Sequence, residues 1–187
     1  MAQPSLVILL VEDNVQERLI YRYLLKCGLK RHQISIEKST VGKGSAERWV
    51  RDRFPAELRA CRSRQAETRL IAVIDADTLT VEERKRQLDT ALRQAETPLL
   101  TAQESSQVAR LVPKRNIETW ILCLNGEEVT EDDDYKKHHK NTRDDWSEQI
   151  SPAANALYEL TRRNTQRPQN CVDSLADGIE ELRNLGF

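Results

Sequence analysis

Four acids stand where the chemistry of α/β proteins collects. Glu12 follows the apolar run at residues 6–11, Leu-Val-Ile-Leu-Leu-Val. Asp75 and Asp77 follow a second run at residues 70–74, Leu-Ile-Ala-Val-Ile, and Glu118 lies at the start of an apolar helical stretch over residues 117–124. Short runs with no polar alternation suit strands buried on both faces of a parallel sheet. The carboxyl ends of such strands are where ligands bind. In extended chain, residues two apart share a side, so Asp75 and Asp77 are expected to face the same way. If the first and third strands are neighbours, three carboxylates meet and repel one another. A hard divalent cation, Mg²⁺ or Mn²⁺, relieves that repulsion through oxygen ligands. Glu118 is positioned to add a ligand or to hold a water. The bland alternative for each acid is a polar loop residue or a helix-terminal charge.

A phosphate approaching this much negative charge needs cations beside it. Lys43, in Gly42-Lys-Gly44-Ser45, sits after the second strand, where glycines let backbone approach a phosphate closely. The spacing is not that of a nucleotide-binding P-loop. Lys114 and Arg115 precede Glu118 and complete the candidate phosphate- or nucleic-acid-binding set. Arg84, Lys85 and Arg86 read as a solvated helix face. Lys136, Lys137, His138, His139 and Lys140 read as a contact patch for nucleic acid or as partners of the acids at 131–134. Trp49, Trp120 and Trp146 lie in helical stretches and read as packing residues.

Strands and helices must alternate to hold these groups in place. Asp13-Asn14 can cap a helix whose apolar residues Leu19, Ile20, Tyr23, Leu24 and Cys27 recur at helical spacing until Gly28. Residues 32–38 alternate as a strand, and a helix follows from Ser45, with Pro55 expected to bend or restart it. Thr80 caps a charged helix over 81–96, and residues 108–112 form a fourth strand. The order β-α-β-α-β-α-β-α predicts an α/β fold with a mostly parallel sheet flanked by helices. Residues 1–126 read as this core. Residues 127–187 read as a charged, mobile surface segment followed by helices at 146–163 and 174–185 packed on the core.

Composition bounds the partners. The chain has 187 residues, enough for one ordinary domain. Its 29 Lys and Arg against 30 Asp and Glu rule out binding nucleic acid by bulk positive charge, but not by a local patch. No apolar run approaches the about 20 residues needed to span a bilayer, and no secretory leader is read at the N-terminus. Cys27, Cys61, Cys123 and Cys171 are widely spaced and read as free thiols of a cytoplasmic protein.

Glu12 after the first strand and Asp75-Ala-Asp77 after the third resemble the signature of the Toprim domains of topoisomerases, primases and OLD-type nucleases. The block Val112-Pro-Lys-Arg-Asn-Ile-Glu118-Thr-Trp120-Ile is similar to one in small Toprim-like proteins of prokaryotic defence and mobile elements. Asp13 stands where the family's Glu is commonly followed by Gly. The resemblance covers roughly residues 6–124. It implies a Toprim-like Rossmannoid fold and a Mg²⁺- or Mn²⁺-dependent nuclease acting on DNA or RNA. It also implies a setting in antiviral defence with a separate ATPase subunit. Carried over, Glu12 would be the general acid/base or a metal ligand, Asp75 and Asp77 would hold the metal, and Glu118 would assist. A second copy of the chain is left open as a partner. Two rival readings remain: a non-catalytic module of the same fold that binds nucleic acid or a partner, and a phosphoacceptor. For the latter, Ile8-Leu-Leu-Val-Glu-Asp-Asn14 is similar to the opening of response-regulator receivers, with Asp75 as acceptor.

Overall fold

A computed structural model describes residues 3–39, 46–64, 66–137, 146–162, 165, 168 and 170–187. Four strands form one all-parallel sheet in the order β2-β1-β3-β4. They are β1 (Leu6–Val11), β2 (Ile34–Lys38), β3 (Thr68–Val73) and β4 (Val108–Leu111). The helices are α1 (Asn14–Lys26), α2 (Ala46–Ser63), α3 (Val81–Gln94), α4 (Ile117–Leu124), α5 (Trp146–Thr161) and α6 (Asp173–Leu185).

The two apolar runs become the two central strands, β1 and β3, paired Leu6 to Thr68 through Leu10 to Ala72. Their side chains alternate between two cores. Val7, Leu9, Val11, Ile71 and Val73 pack under α1, α4, α5 and α6. Ile8, Leu10, Leu70, Ala72 and Ile74 pack under α2 and α3. Both faces are therefore covered, which is why neither run carries a polar residue at every second place. The expected α/β architecture with a parallel sheet is present.

Three local features bear on the sequence expectation. α2 continues through Pro55, which is buried within it, so the ring removes one helical donor without ending the helix. α5 and α6 are integral to the first core, which contains Ile150, Leu157, Leu175 and Ile179 beside Trp120. The charged segment, expected to be mobile, is tied to the core in its described part. There, Glu131 accepts from the Ser174 backbone N–H at 2.9 Å, and Asp134 accepts from Asn116 Nδ2 at 3.1 Å.

Candidate functional site

β1 lies at the point where the chain order reverses, with β2 on one side and β3 on the other. Crevices at such points open at the carboxyl ends of the strands. Here a cleft of about 850 Å³ is lined by Glu12, Asp13, Lys38, Glu47, Asp77, Glu118 and Lys136 among others. Asp75 is buried behind the lining and bonds two of its residues, Glu12 and Lys136.

Asp75 is held by three neighbours. Its Oδ1 accepts from Gln16 Nε2 at 2.9 Å, and its Oδ2 accepts from Lys136 Nζ at 2.6 Å. Its backbone N–H donates to Glu12 Oε1 at 2.6 Å. Gln16 closes the circuit, because its Oε1 accepts from the Glu12 N–H at 2.9 Å. α1 delivers Gln16 to this place. Asp13 caps that helix by accepting from the N–H groups of Val15 and Gln16, as its position before the apolar stripe predicts.

Glu118 enters from α4, whose N-cap is Asn116, and is almost wholly buried. Among the described residues, its Oε2 has no hydrogen-bond partner. Burial first, and then the Asp75 charge, push Glu12 up to about 8. Burial also pushes Glu118 up to about 8; Lys136 opposes this and Asp75 adds to it. Burial raises Asp75 as well, against the pull of Lys136. Burial would lower the Lys136 ammonium, but Asp75 and Glu118 outweigh it and hold that group protonated far above its usual range. Shifts of this kind, from desolvation joined to specific charges in a cleft, mark functional sites.

Asp77 departs from the expected pattern. β3 ends at Val73 and its pairing continues to Ala76, whose N–H donates to the Pro113 carbonyl at 2.8 Å, but Asp77 turns with φ +54°. Its side chain is 57% exposed at the mouth of the cleft, 3.5 Å from Arg84 Nη2. The two aspartates therefore do not share a face in the way strand alternation predicts. Arg84 itself is buried and also pairs with Glu47, so this residue belongs to the wall of the site and not to a solvated face.

Lys114 and Arg115 stand beside the site but brace its loops. Lys114 Nζ donates to the Leu79 carbonyl at 3.0 Å, and Arg115 Nη1 donates to the Asp77 carbonyl at 3.4 Å. Neither is among the groups that line the cleft. Lys43 and its glycines, and His138, His139 and Lys140 of the basic patch, lie outside the described residues. Sequence reasoning missed Gln16, although a polar residue in line with Leu19, Ile20 and Tyr23 on a buried helix face is a visible signal. It also gave Lys136 an outward role.

The donor set is all oxygen, and one of its buried oxygens is unpartnered, which suits a hard divalent cation. Among the described residues, no three acid, His or Cys side chains are yet gathered about one point. Instead, the Lys136 ammonium rests on Asp75. Comparison with protein-family models, curated proteins and solved structures found no match to this chain. Among the described residues, no helix is long and apolar enough to cross a membrane.

Proposed function

We propose that this protein is a Toprim-like, Mg²⁺- or Mn²⁺-dependent enzyme that processes phosphodiesters, most simply a nuclease of DNA or RNA. The observation that carries the reading is that the buried acids Glu12 and Glu118 each feel the charge of buried Asp75 beside one cleft, with one Glu118 oxygen unpartnered among the described residues. Asp75 and Glu118, with Glu12, would hold the cation, which when bound neutralises charge developing on the phosphate. Glu12, with one oxygen fixed by the Asp75 N–H, would move a proton at its other carboxylate oxygen. Asp77, at the mouth, would meet the cation or the substrate from the solvent side. A role in antiviral defence beside a separate ATPase belongs to the same reading and rests on the family resemblance alone.

The test is cleavage of plasmid, single-stranded DNA and RNA with Mg²⁺ or Mn²⁺. Glu12→Gln should lower any metal-dependent cleavage by roughly 10²–10⁴-fold, the usual contribution of a positioned acid/base. Asp75→Asn should abolish it. Cleavage that survives Asp75→Asn would place the activity elsewhere. Nucleic-acid binding without cleavage would favour the binding-module reading, and a stable phosphoryl adduct on Asp75 after a small phosphodonor would favour the receiver reading.

A further inference from the structure

The group that touches the deepest acid is a lysine from outside the α/β core. Lys136 sits in a short 3-10 turn, Tyr135–Lys137, at the end of a strap that begins near Val129. The strap has its own internal bonds. The Thr130 N–H donates to the Tyr135 hydroxyl at 3.0 Å, and the Thr130 hydroxyl bonds Asp133 at 3.1 Å. It is moored at Ser174 of α6 through Glu131 and at Asn116, the cap of α4, through Asp134. From there its ammonium reaches Asp75.

We propose that Lys136 is a built-in counter-ion at the cation position, and that a divalent metal binds by displacing it from Asp75 and releasing the end of the strap. This rests on the reading of the acids as a cation site. Three observations carry it. The contact is 2.6 Å, on the oxygen of Asp75 that Gln16 leaves free. The lysine side chain is 38% exposed whereas Asp75 is 1%, so the ammonium can withdraw into water without moving any core residue. The only side-chain cation bonded to Asp75 among the described residues is Lys136, and the Glu118 oxygen nearby has no partner there. A doubly charged ion with several oxygen ligands satisfies the cluster better. Simple opening of the strap is costly, because it strands a buried carboxylate. Exchange of one cation for another avoids that cost, so the strap stays shut until metal arrives.

The experiment is a Mn²⁺ titration of the full chain, read by the electron paramagnetic resonance of the free ion. Lys136→Met keeps most of the stem and removes the competitor, so it should bind Mn²⁺ at least about tenfold more tightly than wild type, within the usual range of coupling between sites. Lys136→Arg keeps the charge and should stay nearer to wild type. Equal or weaker binding by Lys136→Met, with wild type binding, overturns the displacement and leaves the metal reading standing. No Mn²⁺ binding by any form overturns both. Acetylation by acetic anhydride, read by peptide mass spectrometry, tests the wild type directly. A lysine locked in an ion pair is a poor nucleophile, so Mn²⁺ should raise modification of Lys136 severalfold and leave Lys85 unchanged. An unchanged Lys136 overturns the proposal even if the variants fail to fold.

Discussion

Lys85 and Lys136 each reach carboxylates far away in sequence. Lys85, on α3, lies 2.8 Å from Asp177 and 2.7 Å from Glu181, one turn apart on α6. Glu181 also accepts from the Arg110 backbone N–H at 3.1 Å, so the clasp covers the outer edge of β4. Both of its partners are carried by one helix, and the surrounding sequence is rigid secondary structure. Lys136 is carried by a strap and rests on an acid with no access to water, beside two other buried acids that it only partly balances. The first arrangement joins two elements and leaves little to exchange. The second sets a replaceable cation over one buried acid, beside two more that burial keeps protonated and that a metal could ionise. The same residue types thus make a structural clasp in one place and a site poised for a ligand in another. Burial of the acids, together with a lysine carried on a short loop turn instead of a long helix, makes the difference.

The sharpest way to separate the two is pH. Unfolded, Glu12 and Glu118 ionise near the ordinary value of 4.5; folded, burial holds both up to about 8. Across that window the native chain keeps protons that the unfolded chain releases. Stability contributed by these acids is therefore greatest at low pH and is lost as pH rises towards 8, by an amount on the order of a few kcal/mol. Melting temperature should fall from pH 5 to pH 8. Glu118→Gln should flatten that fall, whereas Lys85→Met should leave its slope as it is. A melting temperature that does not fall across this range would contradict the account of the cluster.

A smaller effect tests whether the two lysines are as independent as their partners suggest. A Cβ placed on Gly178 would lie 2.3 Å from the Trp120 ring, so α6 and α4 meet there without room for a methyl. Gly178→Ala should cost roughly 1–3 kcal/mol by overpacking. It should also disturb both ends of α6, the clasp at Asp177 and Glu181 and the mooring at Ser174. Chemical denaturation gives the first quantity, and Mn²⁺ affinity reports the second. The smallest effect is expected for Lys85→Met. A partly exposed pair contributes about 1 kcal/mol or less, and Mn²⁺ affinity should not change. A large change in metal affinity there would break the distinction between clasp and site.

Much of the framework was legible because it depends on local pattern. The unbroken apolar runs marked β1 and β3, and residues 146–163 and 174–185 foretold α5 and α6 within two residues. Glu12 and Asp75 were legible for the same reason, being the first acids after buried strands. Asp77 reaches the cleft mouth by a turn and not by alternation, because it lies four residues past the last residue of β3. Arg84 and Lys85 look like an ordinary charged helix face, since their partners at Glu47, Asp177 and Glu181 lie outside any local window. The Lys136 contact spans 61 residues and leaves no periodic trace. Gln16 alone left a mark, as a polar residue on an apolar stripe.

Ser174 has a consequence for the order of events during synthesis. Its hydroxyl accepts from the Lys114 N–H and from Trp120 Nε1, while its own N–H holds the strap through Glu131. Glu12, Asp75 and Glu118 all leave the ribosome before Lys136, and Ser174 follows 38 residues after that. At about 5–20 residues per second, that last stretch takes roughly two to eight seconds. For that interval the nascent acids have a lysine within reach and only one of the strap's two moorings, at Asn116. Cations of the surrounding solution therefore meet, for that interval, a cluster whose own ammonium is tethered at one point only.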